Sequence, residues 1–351
     1  MRIAFYTTYV TPHQIPWARE FANRVGAENF RYIYTVPVVG NGWKSQQKDD
    51  WLLPMAQEVA EAKVWLEAAD VVISGIRDFD LFERRCNAGL LTIYTSERWF
   101  KPIRLLSGKV IVSGRVRLLF RSYRRMLRRL IYCLTQYPNF YYFPIGVHAR
   151  EDILRYCNCA DKMRDWMYVV SRGMRMPHSK HIPLRVFWCG RMIDWKRPDT
   201  VVKAVRFMLT KSGHLKERNS VVLTMVGDGP LKKKLQELSK GLPVTILPRM
   251  SNDKLREFMR EHDIYVMSSD GSEGWGAPLN EALEEGLCAV GTFEAGSSAT
   301  MLPHSHLYHA GNYKELAVLL GHEIPYVGLS QFTVEKAADE MYYFVRQKCG
   351  V

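Results

Sequence analysis

Short apolar runs alternate with longer stretches of helical periodicity along the whole chain. In the first half, Ile3 to Thr7, Phe30 to Val36, Val71 to Gly75, Leu91 to Thr95, Phe140 to Ile145 and Met167 to Ser171 predict strands. In the second half, Leu184 to Gly190, Val221 to Gly227, Val244 to Leu247, Ile264 to Ser268 and Leu287 to Gly291 do the same. These runs are continuously apolar, as strands covered by helices on both faces are. Helices are expected to begin near Asp199, Leu231, Asp253 and Pro278. Strands alternating with helices build parallel sheets from βαβ units. The expected fold class is therefore α/β, with two doubly wound Rossmann-like domains facing a central cleft. Residues 1–178 form the first domain and residues 184–330 the second. Between them, Arg172 to Pro183 reads as a linker, punctuated by Gly173, Pro177 and Pro183. In residues 331–351 a last helical pattern, about Val334 to Gln347, is expected to return and brace the first domain.

Composition narrows the class. With 351 residues, 47% hydrophobic and 24% charged, the chain has material for two ordinary globular cores. No apolar run approaches the ~20 residues of a membrane-spanning helix. The start, Met1 to Tyr6, is strand-like and too short for a secretory signal. Seven cysteines without a Cys-x-x-Cys predict free, mostly buried thiols in a reducing cytosol, and no metal site built from them. Cys157 and Cys159 are the nearest pair.

Charge is unevenly spread. The formal net charge is +13, yet Arg98 to Arg150 contains twelve bases, Lys109 among them, and no acid. On a helical wheel with Val116 at zero, Leu119, Phe120, Tyr123, Met126, Leu127, Leu130, Ile131 and Leu134 fall within one third of the circumference. Arg117, Arg121, Arg124, Arg125, Arg128 and Arg129 fill the opposite side. The apolar half is expected in the core, and the arginines form a positive face able to attract anionic lipid or polyphosphate. No stacking platform or nucleic-acid motif accompanies them, so nucleic acid is not an expected partner. An anionic membrane surface is, which places the chain in the cytoplasm, peripheral at the inner face of the plasma membrane.

The densest chemistry lies at residues 271 to 286, Gly-Ser-Glu-Gly-Trp-Gly-Ala-Pro-Leu-Asn-Glu-Ala-Leu-Glu-Glu-Gly. A strand leads into this glycine-broken loop, and Pro278 is suited to the first turn of the following helix. Glu273 therefore sits in the loop and Glu281 one turn inside the helix. Backbone amides at such a junction suit phosphate or sugar oxygens, and carboxylates suit hydroxyl donors. A ligand with anionic and polyhydroxy parts, such as a nucleotide sugar, satisfies both. Upstream, Arg191 and Lys196 stand five apart in a loop after a strand, where two cations can clamp a diphosphate. Val226-Gly227-Asp228-Gly229-Pro230 is a tight turn after the next strand. Leu247-Pro248-Arg249 ends another strand, with Ser251 or Asn252 placed to cap a helix. Asp78-Phe79-Asp80 reads as surface or helix-start acid rather than a metal motif. No Gly-x-Gly-x-x-Gly marks a dinucleotide-binding turn.

Gly-Arg-x4-Lys at 190 to 196, Gly-Asp-Gly-Pro at 227 to 230 and Glu-x7-Glu at 273 to 281 together resemble the donor domain of family 4 retaining glycosyltransferases with the GT-B fold. The resemblance covers residues 184 to 300 most strongly. It implies a donor domain over 184–330 and an acceptor-binding domain over 1–178. Gly190, Gly227 and Gly229 would line the donor site, Arg191 and Lys196 would hold the nucleotide diphosphate, and Glu281 would bind the ribose hydroxyls. Glu273 and the amides of Gly274, Trp275, Gly276 and Ala277 would face the donor sugar, with Leu247 and Arg249 bordering the base. Trp275 stands where Phe is more usual, and Ala277 is smaller than usual. In the first domain, His13-Gln14-Ile15-Pro16 and Ser96-Glu97-Arg98 resemble a subgroup linked to surface polysaccharide synthesis, where His13 and Glu97 would position or partly deprotonate an acceptor hydroxyl. The implied reaction transfers sugar from a nucleotide donor, UDP-linked ahead of GDP-linked, to a glycan acceptor, lipid-linked by the charge argument. No metal or other cofactor is expected. The rival expectation is a catalytically inactive protein that binds nucleotide sugars or anionic surfaces.

Overall fold

The computed structural model describes residues 1–11, 13–36, 49–104, 111–174, 181–211, 221–328 and 333–351. Pro177 of the expected linker and Lys109 of the basic stretch lie outside them. The chain divides into two compact units. One comprises Met1–Phe100, Gly114–Ser171 and Gln331–Val351, the other Lys101–Ser113 and Arg172–Ser330.

In the first unit, strands β1 (Ile3–Thr7), β2 (Phe30–Tyr34), β3 (Leu52–Pro54), β4 (Val71–Ser74) and β5 (Leu91–Ser96) come in sequence. A small antiparallel ladder follows, β6 (Ile103–Arg104) with β7 (Ile111–Val112), and then β8 (Phe140–Pro144). Six of these form one parallel sheet in the order β3-β2-β1-β4-β5-β8. Ile3 is the registration point, opposite Phe30 on one side and Val71 on the other. The second unit repeats the plan with β9 (Leu184–Cys189), β10 (Val221–Val226), β11 (Val244–Leu247), β12 (Ile264–Met267), β13 (Cys288–Thr292) and β14 (Leu307–Tyr308). Its order is β11-β10-β9-β12-β13-β14, parallel throughout. Each sheet reverses direction of growth beside its first strand. That topological switch point lies between β1 and β4, and between β9 and β12. Loops leaving the two strands diverge there and open a crevice at their carboxyl ends.

The helices are α1 (Ile15–Val25), α2 (Val59–Ala68), α3 (Phe79–Asn87), α4 (Arg121–Gln136), α5 (Val147–Leu154), α6 (Pro198–Lys211), α7 (Lys232–Leu238), α8 (Asn252–Met259), α9 (Pro278–Glu284), α10 (Gly296–Met301), α11 (Tyr313–Gly321) and α12 (Val334–Cys349). The four expected starts lie within a residue of α6, α7, α8 and α9. The final helix, α12, contributes Ala337, Ala338, Met341 and Val345 to the same core as Trp17, Ala18 and Phe21 of α1. Burial of each large apolar side chain favours this docking by ~1.5–3 kcal/mol. Arg24 Nε adds an ion pair to Asp339 Oδ1 at 2.5 Å.

Four sequence expectations change. Met167 to Ser171 forms no strand; this part of the chain instead makes single bridges, Tyr142 with Met163 and Ile145 with Trp166. The sixth strand is β3, a three-residue edge strand ending in Pro54, which can sit only where an amide is not needed. Cys157 and Cys159 are joined by a disulfide rather than being free thiols, whereas Cys86, Cys133 and Cys189 are free and buried. The basic amphipathic helix does not run from Val116. Gly114–Leu119 is a 3-10 helix, Phe120 is extended, and only then does α4 begin. Three residues per turn in the 3-10 segment break the phase of a 3.6-residue wheel. Leu127, Leu130 and Leu134 are buried as expected, but Leu119 and Phe120 are turned outwards.

Candidate active site

The switch point of the second sheet gathers the charged residues. The loop after β9 carries Gly190, Arg191 and Lys196, and the loop after β12 carries Glu273. Lys196 Nζ meets Glu273 Oε2 at 2.5 Å, although 77 residues separate them. Both side chains are largely enclosed, 15% and 18% exposed. Their backbones are fixed by a chain of bonds that crosses the switch point. Trp188 Nε1 donates to Ser268 Oγ (2.8 Å), Ser268 Oγ donates to Lys196 O (2.6 Å), and Asp270 N donates to Trp195 O (2.7 Å). Ser269 Oγ donates to Glu273 Oε2 at 3.3 Å.

Burial pushes the Glu273 carboxyl up, but the adjacent Lys196 ammonium, with smaller help from Lys101 and Ser269, outweighs it. The net shift is below the ordinary glutamate value, so Glu273 is a carboxylate at neutral pH. Lys101 groups with this second unit. Arg197, the next residue after Lys196, has φ of 47°, a left-handed conformation rare without a glycine. Such strain concentrates at functional sites. Arg191 is exposed, with its guanidinium 5.7 Å from the Trp195 ring, and it makes no ion pair among the described residues.

Glycine is required at the next turn by close backbone approach. A Cβ on Gly227 would stand 2.0 Å from Gly190 O, and one on Gly229 would stand 2.6 Å from Met192 O. Met192 N donates to Asp228 O at 2.7 Å, so the Gly-Asp-Gly-Pro turn lies directly on the Arg191 loop. In the Glu273 loop, Gly276 has φ of 99°. A Cβ on Gly296, at the start of α10, would stand 2.1 Å from Gly274 O. Pro278 starts α9, and Glu281 is in its first turn. Glu281 Oε1 accepts from Asn252 Nδ2 at 2.8 Å. Burial raises the Glu281 pKa, and Asn252 and Arg256 only partly offset it. Leu247 is half-buried at the end of β11, and Arg249 is exposed just beyond.

The expectation for Trp275 concerns its backbone amide, and its side chain has a separate task. Its indole is 1% exposed and donates to Asn280 Oδ1 at 2.8 Å. The ring therefore braces the loop against α9. Gly274 is buried and Ala277 half-buried beside it.

In the first unit, His13 follows β1 and Glu97 follows β5 at the carboxyl end of the same sheet. The His13 ring lies 4.4 Å from the Tyr168 ring, and burial lowers the His13 pKa to about 4. Tyr168 in turn lies in the fields of Glu97 and Tyr32, and its hydroxyl is shifted well upwards, mainly by burial. Arg98 does not neutralise Glu97: its guanidinium approaches Asp152 at 3.9 Å. Asp152 also accepts from the amides of Trp99 and Phe100. Asp78 caps α3 through Leu81 N, and Asp80 pairs with Arg129, which accounts for the Asp-Phe-Asp segment.

Three residues beside these sites were not singled out from sequence for the contacts they make: Lys101, Asn252 and Tyr168. Asn252 carried a signal only as a helix cap. Lys101 and Tyr168 carried none, because their proximity to Glu273 and His13 arises from long-range folding.

Comparison with known proteins bears on the same region. Residues 183–319 match the family model described as Glycosyl transferases group 1. A stretch of 81 residues is 32% identical to the sulfoquinovosyl transferase SQD2 of Arabidopsis thaliana, spanning 23% of this chain but only 16% of that relative. Among solved structures, Anabaena HepE in complex with UDP superposes with a TM-score of 0.63 at 13% identity, covering 99% of this chain and 95% of that one. The lipopolysaccharide outer core galactosyltransferase WaaB gives 0.64 at 15%, with 99% and 98% covered. At these identities the likeness is one of fold. A group 1 glycosyl transferase pattern over the second unit, on two parallel six-stranded sheets that match GT-B structures, supports a glycosyltransferase of GT-B architecture.

Proposed function

We propose that this chain is a retaining glycosyltransferase of the family 4 type. It transfers sugar from a UDP-linked donor to a lipid-linked glycan in surface polysaccharide synthesis, working peripherally at the cytoplasmic face of the membrane. The carrying observation is the Lys196–Glu273 pair at the switch point of the second sheet, with Arg191 beside it lacking any acidic partner among the described residues. UDP and glucose in the HepE complexes support the choice of donor class.

In this reading Arg191 and Lys196 bind the diphosphate oxygens. The bond between the anomeric carbon and the β-phosphate oxygen breaks, and negative charge grows on the departing diphosphate. Lys196, held by Glu273 in a partly enclosed site, and Arg191 beside it stabilise that charge more than they stabilise the bound donor, which is the condition for acceleration. The acceptor hydroxyl attacks from the face the diphosphate leaves, and its proton passes to a departing phosphate oxygen. Configuration is thereby retained without a covalent enzyme intermediate or a metal ion. Glu273 orients Lys196 and accepts from a donor-sugar hydroxyl, while Glu281 accepts from the ribose. His13 and Glu97 orient the acceptor. A screen of nucleotide sugars for hydrolysis and thermal stabilisation tests this. UDP-sugar turnover, lost in Glu273→Gln, is the expected result. Stabilisation without any turnover in the unaltered protein would instead identify an inactive nucleotide-sugar-binding protein.

A further inference from the structure

Where the basic helix begins, two adjacent large apolar side chains stand in solvent. Leu119 is 74% exposed and Phe120 is 62% exposed, while Leu118 packs against the core. This step is held by the backbone rather than left loose. Phe120 N donates to Arg117 O at 3.0 Å, closing the 3-10 turn, and Tyr123 N and Arg124 N donate to Phe120 O at 3.1 Å. Arg124 Nη1 reaches back to Leu118 O at 2.9 Å.

Cations surround the step. Arg121, Arg124, Arg125 and Arg128 are exposed and, with Tyr132, line a groove of about 510 Å³. Arg129 is the exception, neutralised by Asp80 and Glu83 at 2.8 Å each. Glu83 is the acid that lines the groove, and it is committed to Arg129. No acid occurs in the chain from Arg98 to Arg150. A nucleic acid would use the arginines and leave Leu119 in water. A bilayer with anionic headgroups uses both features, since it takes apolar side chains at its interface and attracts the cations around them.

We propose that Leu119 and Phe120 form a membrane-insertion wedge, seated on anionic lipid by Arg121, Arg125 and Arg128. The wedge deepens the peripheral-membrane part of the function above and rests on that part, but it uses no donor-site residue. Flotation with phosphatidylcholine vesicles, with and without phosphatidylglycerol, tests it. The unaltered protein should float only with the phosphatidylglycerol vesicles. Leu119→Ser/Phe120→Ser should weaken that binding about tenfold or more. Arg121→Glu/Arg125→Glu/Arg128→Glu should abolish it, and the corresponding lysine variant should retain it, because headgroup attraction here is a matter of charge. All these positions are exposed, so the Tm and the stabilisation by UDP should be unchanged in each variant. That readout separates failure of the wedge from failure of the glycosyltransferase reading. Equal binding by the serine variant, or no preference for anionic vesicles, overturns the proposal. So does binding to a duplex oligonucleotide in place of vesicles.

Discussion

The two sheets share one strand order, yet the loops at their switch points carry opposite kinds of chemistry. In the second unit, the loops after β9 and β12 bring an ammonium and a carboxylate to 2.5 Å, with Arg191 beside them in solvent. In the first, the switch-point loop after β1 brings in His13, kept neutral by burial, with Tyr168 against its ring, and the loop after the neighbouring β5 carries Glu97. A paired, partly enclosed charge site suits a ligand that is itself charged. A site with a neutral imidazole, a phenol and a single carboxylate suits polyhydroxy ligands, whose hydroxyls need hydrogen-bond partners rather than a clamp of counter-charges. Topology thus fixes where a ligand site forms, and loop residues fix what it accepts.

The sharpest way to break this comparison is to remove the charge from the second site. Lys196→Ala should lower kcat by ~10²–10³, as expected for a preorganised group that stabilises developing charge. The same change leaves Glu273 buried without its main partner, so its carboxyl pKa should rise, observable by carbon-13 NMR of labelled glutamate. Turnover equal to that of the unaltered protein would remove the reason to treat the pair as catalytic. Next in size is a structural effect. Gly227→Ala places a methyl group 2.0 Å from Gly190 O in a backbone region unsuited to alanine. A cost of at least ~3 kcal/mol is expected, a fall in the Tm of the second unit of roughly 6–12 °C by calorimetry. An alanine tolerated there would show that the loops after β9 and β10 are not packed as described.

Much of this contrast was legible before the fold was known. Continuous apolar runs gave away most of the parallel strands, because a strand buried on both faces has no polar side to hide its pattern. The loops at 190–196 and 271–281 were legible because their glycines and charges crowd into a few residues. What stayed hidden depends on distance along the chain. β3 is three residues long and ends in proline, too short to show periodicity. The contact of Tyr168 with His13 joins residues 155 positions apart, and no local pattern records it. Trp275 shows the reverse limit. Its position in the loop was clear, but only the packed structure reveals that its ring is spent on Asn280. The helical wheel from Val116 failed because the 3-10 segment and the extended Phe120 shift the phase, and that failure put Leu119 and Phe120 on the wrong side.

Smaller effects should sharpen the first site. Tyr168→Phe keeps the ring against His13 and removes the hydroxyl that lies in the field of Glu97. If Tyr168 positions His13 for the acceptor, acceptor KM should rise up to ~10-fold and the pH–rate profile should move, while donor KM stays fixed. A purely structural role would lower Tm and leave the profile unchanged. His13 itself adds a stability signature. Its folded-state pKa of about 4 lies below the unfolded value of 6.5, so the unfolded chain binds more protons between them. Stability should therefore fall as pH drops from about 6.5 towards about 4, and His13→Asn should flatten that part of the curve.

The smallest effect separates the two carboxylates of the second site. Glu273 is held below the ordinary glutamate value and Glu281 above it. For Glu281 the folded state binds the proton more tightly than the unfolded state. Its contribution is fully present below the unfolded pKa and is lost as pH rises through the raised folded value. Glu281→Gln removes that loss and keeps a side chain able to pair with Asn252. The variant should thus melt higher than the unaltered protein near neutral pH, with the gap closing in mild acid, while its stabilisation by UDP falls because an amide accepts ribose hydroxyls less strongly than a carboxylate. Raised Tm with unchanged UDP stabilisation would leave Glu281 a buried acid of the fold. Its role in the donor site would then pass to Glu273 and the cations around it.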